Sequence, residues 1–214
     1  DYEFTASMEE DLDKIAAGEA GRVDWLRASV ELDKANLRDP SLTDRGAERK
    51  YGTLQRNQAK LENAETLTSV ETVDINALLN DVTRAYQDYA TSNAVSIKID
   101  LPAQTLTLKG DRFLLHQAVG NLVKNAIEHA HTQTEITISA HAEDNSLQIT
   151  VSNIGQPIPD YAIDKLFDRF YSLPNRKGQK GSGIGLSFVR EVAKLHRGQI
   201  QITNASSNNV QAQL

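Results

Sequence analysis

From Val73 onward, apolar and polar positions follow two recurring periods. Ile75, Leu78, Leu79, Val82 and Tyr86 recur at three- and four-residue spacing, the signature of one helical face, with Asp74 placed to cap its start. VSIKIDL (95–101) and TLTLKG (105–110) then alternate like strands, with Pro102 between them. A long helix is expected after Asp111, carrying Leu114, Leu115, Ala118, Leu122, Ala126 and Ile127. TEITISAHA (134–142) and SLQITVSN (146–153) alternate again, joined by a polar turn at Glu143 to Asn145. Ala162 to Phe170 reads as a short helix and Ile184 to His196 as an amphipathic one. GQIQIT (198–203) and NVQAQL (209–214) read as closing strands. The strands come in antiparallel-looking pairs between helices. That pattern predicts an α+β fold, a two-layer sandwich with a mixed, mainly antiparallel sheet, rather than a parallel doubly wound sheet.

The first third has a different texture. Residues 1–36 read as a polar, acidic helical stretch broken at Gly18 and Gly21, and LRDPSLTDRGAE (37–48) as a loop. A second helical stretch runs from about Tyr51 to Glu65, with Leu54 and Leu61 on one face. The chain therefore divides into a helical segment over 1–48, a second helical piece over 49–70 and an α+β domain over 71–214. Composition narrows the classes. With no cysteine there is neither a disulfide framework nor a thiolate metal site. No window approaches the ~20 consecutive apolar residues of a membrane span, and the acidic start is unlike a signal peptide. Net charge is -6, with 15 acidic and 10 basic residues in 1–67 and 14 and 13 thereafter. Neither part is the basic surface of a general nucleic-acid binder.

Four short elements carry candidate chemistry. In NLVKNAIEH (121–129), Asn121 and Asn125 sit four apart on the long helix and so share a face. Carboxamide oxygens can complete the shell of a hydrated Mg²⁺, which prefers oxygen ligands and retains water. In SNIGQPIPD (152–160), Gly155 allows close approach of the backbone to a ligand, and Asn153 at the strand end can bond a base edge. In LFDRFYSLP (166–174), Phe167, Phe170 and Tyr171 read as packing residues, while Arg169 has the reach for a phosphate. KGSGIGLSFV (180–189) opens a helix with Gly181, Gly183 and Gly185 alternating, a turn that offers free N–H groups to an anion. It is neither a dinucleotide fingerprint, since no strand of a βαβ unit leads into it, nor a P-loop, since no Lys-Ser/Thr follows.

In this order, NxxxN on a helix, N-x-G-x-x-I-P after a strand, LFxRFY, then GxGxGL at a helix start, the elements resemble the N, G1, F and G2 boxes of sensor histidine kinases. These belong to the ATPase superfamily shared with gyrase, heat-shock protein 90 and MutL. The stretch from Pro159 to Ile200 is similar to the CreC type of sensor kinase, and the resemblance covers about residues 57–214. It implies ATP and Mg²⁺ as ligands. Asn125 would hold the metal. Asn121 would stand where gyrase-like relatives carry a general-base glutamate, and a carboxamide takes no proton from water near neutral pH. His129 would lie over the adenine. Asn153, in place of the family's usual aspartate, would accept a bond from the adenine amino group, and Pro157 replaces the second glycine of that box. Ile158, Gly155 and Leu186 would complete the nucleotide's surroundings. Residues from about Tyr171 to Lys180 would form the ATP lid, with Arg176, Lys177 and Lys180, beside Arg169, as phosphate contacts.

The same resemblance implies phosphoryl transfer to a histidine on a dimerisation helix hairpin, of which residues 49–70 look like the remnant. It further implies a response regulator as partner, allows a homodimer, and implies a cytoplasmic location as part of an inner-membrane sensor. No histidine precedes His116, however. Residues 2–45 resemble the segment joining the toroidal core of type IA DNA topoisomerases to their tail, without that family's active-site tyrosine region, acidic cluster or zinc ribbons. The alternative is a diverged first kinase helix, with Glu10-Asp11-Leu12 where the family has His-Glu-Leu. Two other functions compete: a non-catalytic nucleotide-binding regulatory module, and a gyrase- or MutL-like ATP hydrolase.

Overall fold

The computed structural model describes Leu67 and residues 69–143, 146–206 and 209–214. The helical readings over 1–66 lie outside the described residues. Ser69–Leu214 forms one compact unit. Its elements run β1 (Glu71–Asp74), α1 (Ile75–Ser92), β2 (Ser96–Asp100), β3 (Thr107–Gly110), α2 (Arg112–His129), β4 (Glu135–Glu143), β5 (Ser146–Ile154), α3 (Asp160–Ile163), α4 (Gly185–Leu195), β6 (Gln201–Ser206) and β7 (Asn209–Gln213).

Local chemistry fixes both long helices. Asp74 Oδ1 accepts from Ala77 N at 2.9 Å, capping α1. Asp111 Oδ1 accepts from Phe113 N at 2.9 Å and Leu114 N at 3.1 Å, capping α2. Each cap occupies an N–H that the helix itself leaves unbonded. A third contact locks the second cap: Asp111 N donates to His196 Nε2 at 3.0 Å, while His196 Nδ1 lies 2.8 Å from the Val192 oxygen. This pairing selects the neutral tautomer with its proton on Nδ1 and ties the end of α4 to the start of α2.

Five strands form the main sheet in the order β2-β4-β5-β7-β6. Only β2 and β4 are parallel; the other neighbours are antiparallel. The expected α+β two-layer sandwich with a mixed, mainly antiparallel sheet is therefore the fold. α1 packs on α2 and on β2, and α2 packs on α4 and on β5. Between the layers lie Ile75, Leu78, Leu79 and Val82 of α1, Leu114, Leu122 and Ile127 of α2, Ile136 and Ile138 of β4, and Ile149 and Val151 of β5, all at most 2% exposed.

Two expectations fail. The strands on either side of Pro102 do not pair with each other. β3 instead pairs antiparallel with Glu71–Asp74, and β2 pairs in parallel with β4 across the crossover that contains α2. Alternation marks a strand but is silent about its partner. The helix expected over Ala162–Phe170 is a single turn, Asp160–Ile163. Phe170 stands at φ 63°, outside helical space, because its backbone is held by the glycine-rich loop described below.

Candidate functional site

The C-terminal half of α2 is the spine of the site. Leu122, Val123, Ala126 and Ile127 face the core, which leaves Asn121 and Asn125 half-buried on its flank. Asn121 Nδ2 donates to the Gln117 oxygen at 3.1 Å. Its oxygen faces the start of α4, where a Cβ built on Gly185 would stand 3.0 Å away. Gly185 thus permits the close approach of α4 to the asparagine. No side chain caps α4 at Ile184. Its first N–H groups and the positive end of its dipole remain available beside the Asn121 carboxamide.

The second element closes against the end of the same helix. Ile149, Val151 and Asn153 form one buried row on β5, so the asparagine ends an otherwise apolar series. Asn153 is 6% exposed, and its Nδ2 is buried without a hydrogen-bond partner. Such an orphan is costly and uncommon, which marks the position. Gly155 bridges to Ala130, and His131 N donates to the Ile154 oxygen at 2.7 Å. A Cβ on Gly155 would lie 2.4 Å from the His129 oxygen and 2.8 Å from Asn153 Nδ2, so only glycine fits. His129, the last residue of α2, is half-buried. Burial lowers its imidazole pKa below the usual value, with the Glu128 carboxylate opposing the shift. The ring is therefore neutral at pH 7. Next to it, Tyr89 Oη donates to Glu128 Oε1 at 3.0 Å.

The segment from Tyr171 to Gly183 folds back on itself. Phe170 N donates to the Gly183 oxygen at 3.0 Å, Ser172 Oγ donates to the Gly181 oxygen at 3.0 Å, and Pro174 bridges to Lys180. Asn175 Oδ1 accepts from Lys177 N and Gln179 N, each at 2.9 Å, tightening the tip. Arg176 is bonded to main-chain oxygens at the ends of α1 and α2. Its Nη1 donates to the Ala130 oxygen at 3.0 Å, its Nη2 donates to the Asn93 oxygen at 2.7 Å, and its backbone N donates to the Glu128 oxygen at 3.4 Å. Carbonyls left without a helical partner at these two ends attract the guanidinium. Lys177, Lys180 and Gly181 are exposed, while Arg169, Ile158 and Leu186 are half-buried.

The first of the four elements lies on α2, and two others abut it directly, through Asn121–Gly185 and His129–Gly155; the third joins the fourth through Phe170–Gly183, and the segment between them reaches the end of α2 through Arg176 and the Ala130 oxygen. Residues 110–213 match the family described as histidine kinase-, DNA gyrase B-, and HSP90-like ATPase. Residues 110–213 belong to this ATPase family. Over a longer stretch the chain is similar to named sensor proteins. It is 37% identical over 157 residues to the sensor protein CreC of Escherichia coli (strain K12), covering 73% of this chain and 32% of that protein. It is 32% identical over 148 residues to the heme sensor protein HssS of Staphylococcus aureus (strain Newman), covering 69% and 32%. The chain spans about a third of the length of these relatives. The catalytic domain of histidine kinase ThkA has the same fold, with a TM-score of 0.60 at 23% identity over 69% of this chain and 95% of that one.

One residue of this ATPase domain escaped the sequence reading. Asn204 on β6 grips the backbone of Ile158 from 46 residues away. A polar residue in an alternating strand is its only signal, and that is shared with many solvent-facing positions.

Proposed function

We propose that this chain carries the Mg·ATP-binding catalytic domain of a two-component sensor histidine kinase, over residues 71–214, and that it passes the γ-phosphate to a histidine outside residues 1–70. One observation carries the reading: the asparagine pair, the Gly155 turn and the glycine-rich helix start all meet on the C-terminal half of α2. In this reading Asn125 ligates Mg²⁺, with phosphate oxygens and water completing its shell. Among the described residues no group of three or more His, Asp or Glu side chains could supply an all-protein cage, so the metal would arrive with the nucleotide. Asn121 and the N–H groups after Gly181, Gly183 and Gly185 hold the phosphates, with Lys180 and Arg169 nearby and Leu186 behind. Asn153 accepts from the adenine amino group, Gly155 and Ile158 wall the base, and neutral His129 stacks on it.

Asn121 separates this reading from hydrolysis. A carboxamide cannot serve as general base for water, so the γ-phosphate is kept for a side chain held in line. The acceptor is a histidine-bearing dimerisation domain, residues 49–70 are the remnant of such a hairpin, and a response regulator receives the phosphate. No helix among the described residues is long and apolar enough to cross a membrane; the cytoplasmic portion of an inner-membrane sensor is the setting proposed. The test is incubation with γ-labelled ATP and Mg²⁺, with and without a separate histidine-bearing dimerisation domain. Acid-labile, base-stable label on the added domain alone is expected. Binding without transfer would make the chain a regulatory module, free phosphate would make it a hydrolase, and phosphohistidine on the unmodified chain would place the acceptor among its own five histidines.

A further inference from the structure

The sheet places Asn204 on the rung that carries Asn153. Val210 of β7 pairs with Asn153 on one side and with Asn204 on the other. Directly opposed residues on neighbouring strands project from the same face. Asn153, Val210 and Asn204 therefore share the face that buries Ile149 and Val151. Regular pairing of β6 with β7 shifts immediately after Asn204, between Asn204 and Ser206. A bulge of this kind re-aims a side chain at a strand end.

The loop that leaves β5 returns over this rung. Asn204 Oδ1 accepts from Ile158 N at 2.9 Å, and Asn204 Nδ2 donates to the Ile158 oxygen at 2.9 Å. Both backbone groups of one residue are thus held by one carboxamide, which fixes the position and the rotation of the loop at that point. The flanking sequence makes this grip decisive. Pro157 and Pro159 have no N–H, so Ile158 carries the only donor in the stretch Pro157–Pro159. An acid at position 204 could match only half of the pair, and a hydroxyl is too short to span both groups.

The geometry points to Asn204 as a positioning residue of the nucleotide site, holding the Gly155–Pro159 loop over Asn153 so that the wall of the base pocket stands formed before nucleotide arrives. This inference rests on the ATP-site reading above. Preorganisation of this kind contributes to affinity by lowering the ordering cost at binding. It acts on the base and not on the phosphates, because the loop closes on Asn153 while the glycine-rich turn lies at the other end of the α2 segment, beside Asn121.

The experiment compares the full chain with Asn204→Ala and Asn204→Asp by calorimetry with Mg·ATP and Mg·GTP, together with amide hydrogen exchange at Ile158. Thermal melting confirms that each variant is folded at the titration temperature. Asn204→Ala is expected to bind ATP about tenfold more weakly, the size of change that loss of two neutral hydrogen bonds produces. Its preference for ATP over GTP should shrink by a similar factor, and Ile158 exchange should accelerate. Asn204→Asp keeps the acceptor for Ile158 N and should fall between the two. A purely structural asparagine would lower the melting temperature and leave the ATP-to-GTP ratio unchanged, and that outcome overturns the inference. If the unmodified chain binds no nucleotide, the ATP site itself is refuted and the role of Asn204 with it. If the unmodified chain binds ATP and Asn204→Ala binds it equally well, only the role of Asn204 is refuted.

Discussion

Gly183 and Phe170 meet backbone to backbone: a Cβ on Gly183 would stand 2.4 Å from the Phe170 carbonyl carbon and 2.7 Å from Tyr171 N. Gly183 also adopts φ +68°, and Phe170 sits at φ 63° while donating its N–H to the Gly183 oxygen. Two left-handed residues are therefore locked together where the fold-back segment rejoins the start of α4. Gly183→Ala meets both a steric and a conformational barrier, of which the conformational part alone costs about 1–2 kcal/mol. We expect a lower melting temperature and at least about tenfold weaker Mg·ATP binding by calorimetry. Gly181→Ala is the control, since nothing lies within 4 Å of a Cβ built there. Equal behaviour of the two variants would show that the contact has no part in the site.

Asn125→Ala tests the metal assignment. Asn125 lies half-buried on the same flank as Asn121, four residues further along α2. Loss of a hydrogen bond or ligand bond to a charged group is worth about 1.5–3 kcal/mol, or roughly 10- to 150-fold in affinity. The loss should appear with Mg·ATP and largely vanish when Mg²⁺ is withheld. Asn80→Ala, which removes only an exposed bond to the Asn76 oxygen on α1, should change neither titration. A magnesium-independent loss would reassign Asn125 to direct contact with the nucleotide.

The parts of this molecule that were legible in its sequence are those decided within a few residues. Asp74 announced the cap of the first long helix and Asp111 marked where the second begins, because helix starts are settled within a few positions. The alternation of SLQITVSN (146–153) announced a strand for the same reason. What stayed hidden depends on distant partners. β3 reads the same whether it pairs with β2 or with Glu71–Asp74. Phe170 belongs to an apparently helical run until Gly183, thirteen residues on, claims its backbone. The bonds of Arg176 to the carbonyls of Asn93 and Ala130 have no local signal either. Asn204 is an ordinary strand asparagine until Ile158 folds over it. The motif order pointed to the site, but the contacts that build it are tertiary.

Asn153→Asp separates ligand recognition from stability. Asn153 Nδ2 has no hydrogen-bond partner, so replacing the amide nitrogen removes no bond within the protein. The carboxylate that replaces it is the stronger acceptor for an amino group. ATP affinity should therefore be kept or tightened. The same carboxylate is buried, at a position only 6% exposed, and burial of an unpaired charge is unfavourable. The nucleotide-free variant should melt at a lower temperature, and saturating Mg·ATP should recover more of that loss than it adds to the unmodified protein. A variant that binds ATP clearly more weakly would show that Asn153 does not face the adenine amino group.

His129 supplies a pH dependence whose sign follows from its surroundings. Burial lowers its pKa in the folded protein, and the Glu128 carboxylate only partly offsets the shift. The unfolded chain, with an imidazole near its ordinary pKa of about 6.5, therefore binds a proton at a higher pH than the folded chain does. Stability contributed by the neutral ring is fully present above that value and is lost as pH falls through it toward the lower folded pKa. Chemical denaturation between pH 7.5 and pH 5 should show stability falling with pH over this window. His129→Phe, which keeps an aromatic ring but cannot titrate, should flatten that part of the slope while leaving the carboxylate-driven loss at lower pH in place. Because a phenyl ring can still stack on a base, the variant should retain ATP binding at pH 7.5. At pH 5.5 its affinity should fall less than that of the unmodified protein, whose ring would there have begun to take up a charge beside the nucleotide. An unchanged slope in His129→Phe would mean that the ring titrates alike in both states, and the neutral imidazole would then have no special place at the end of α2.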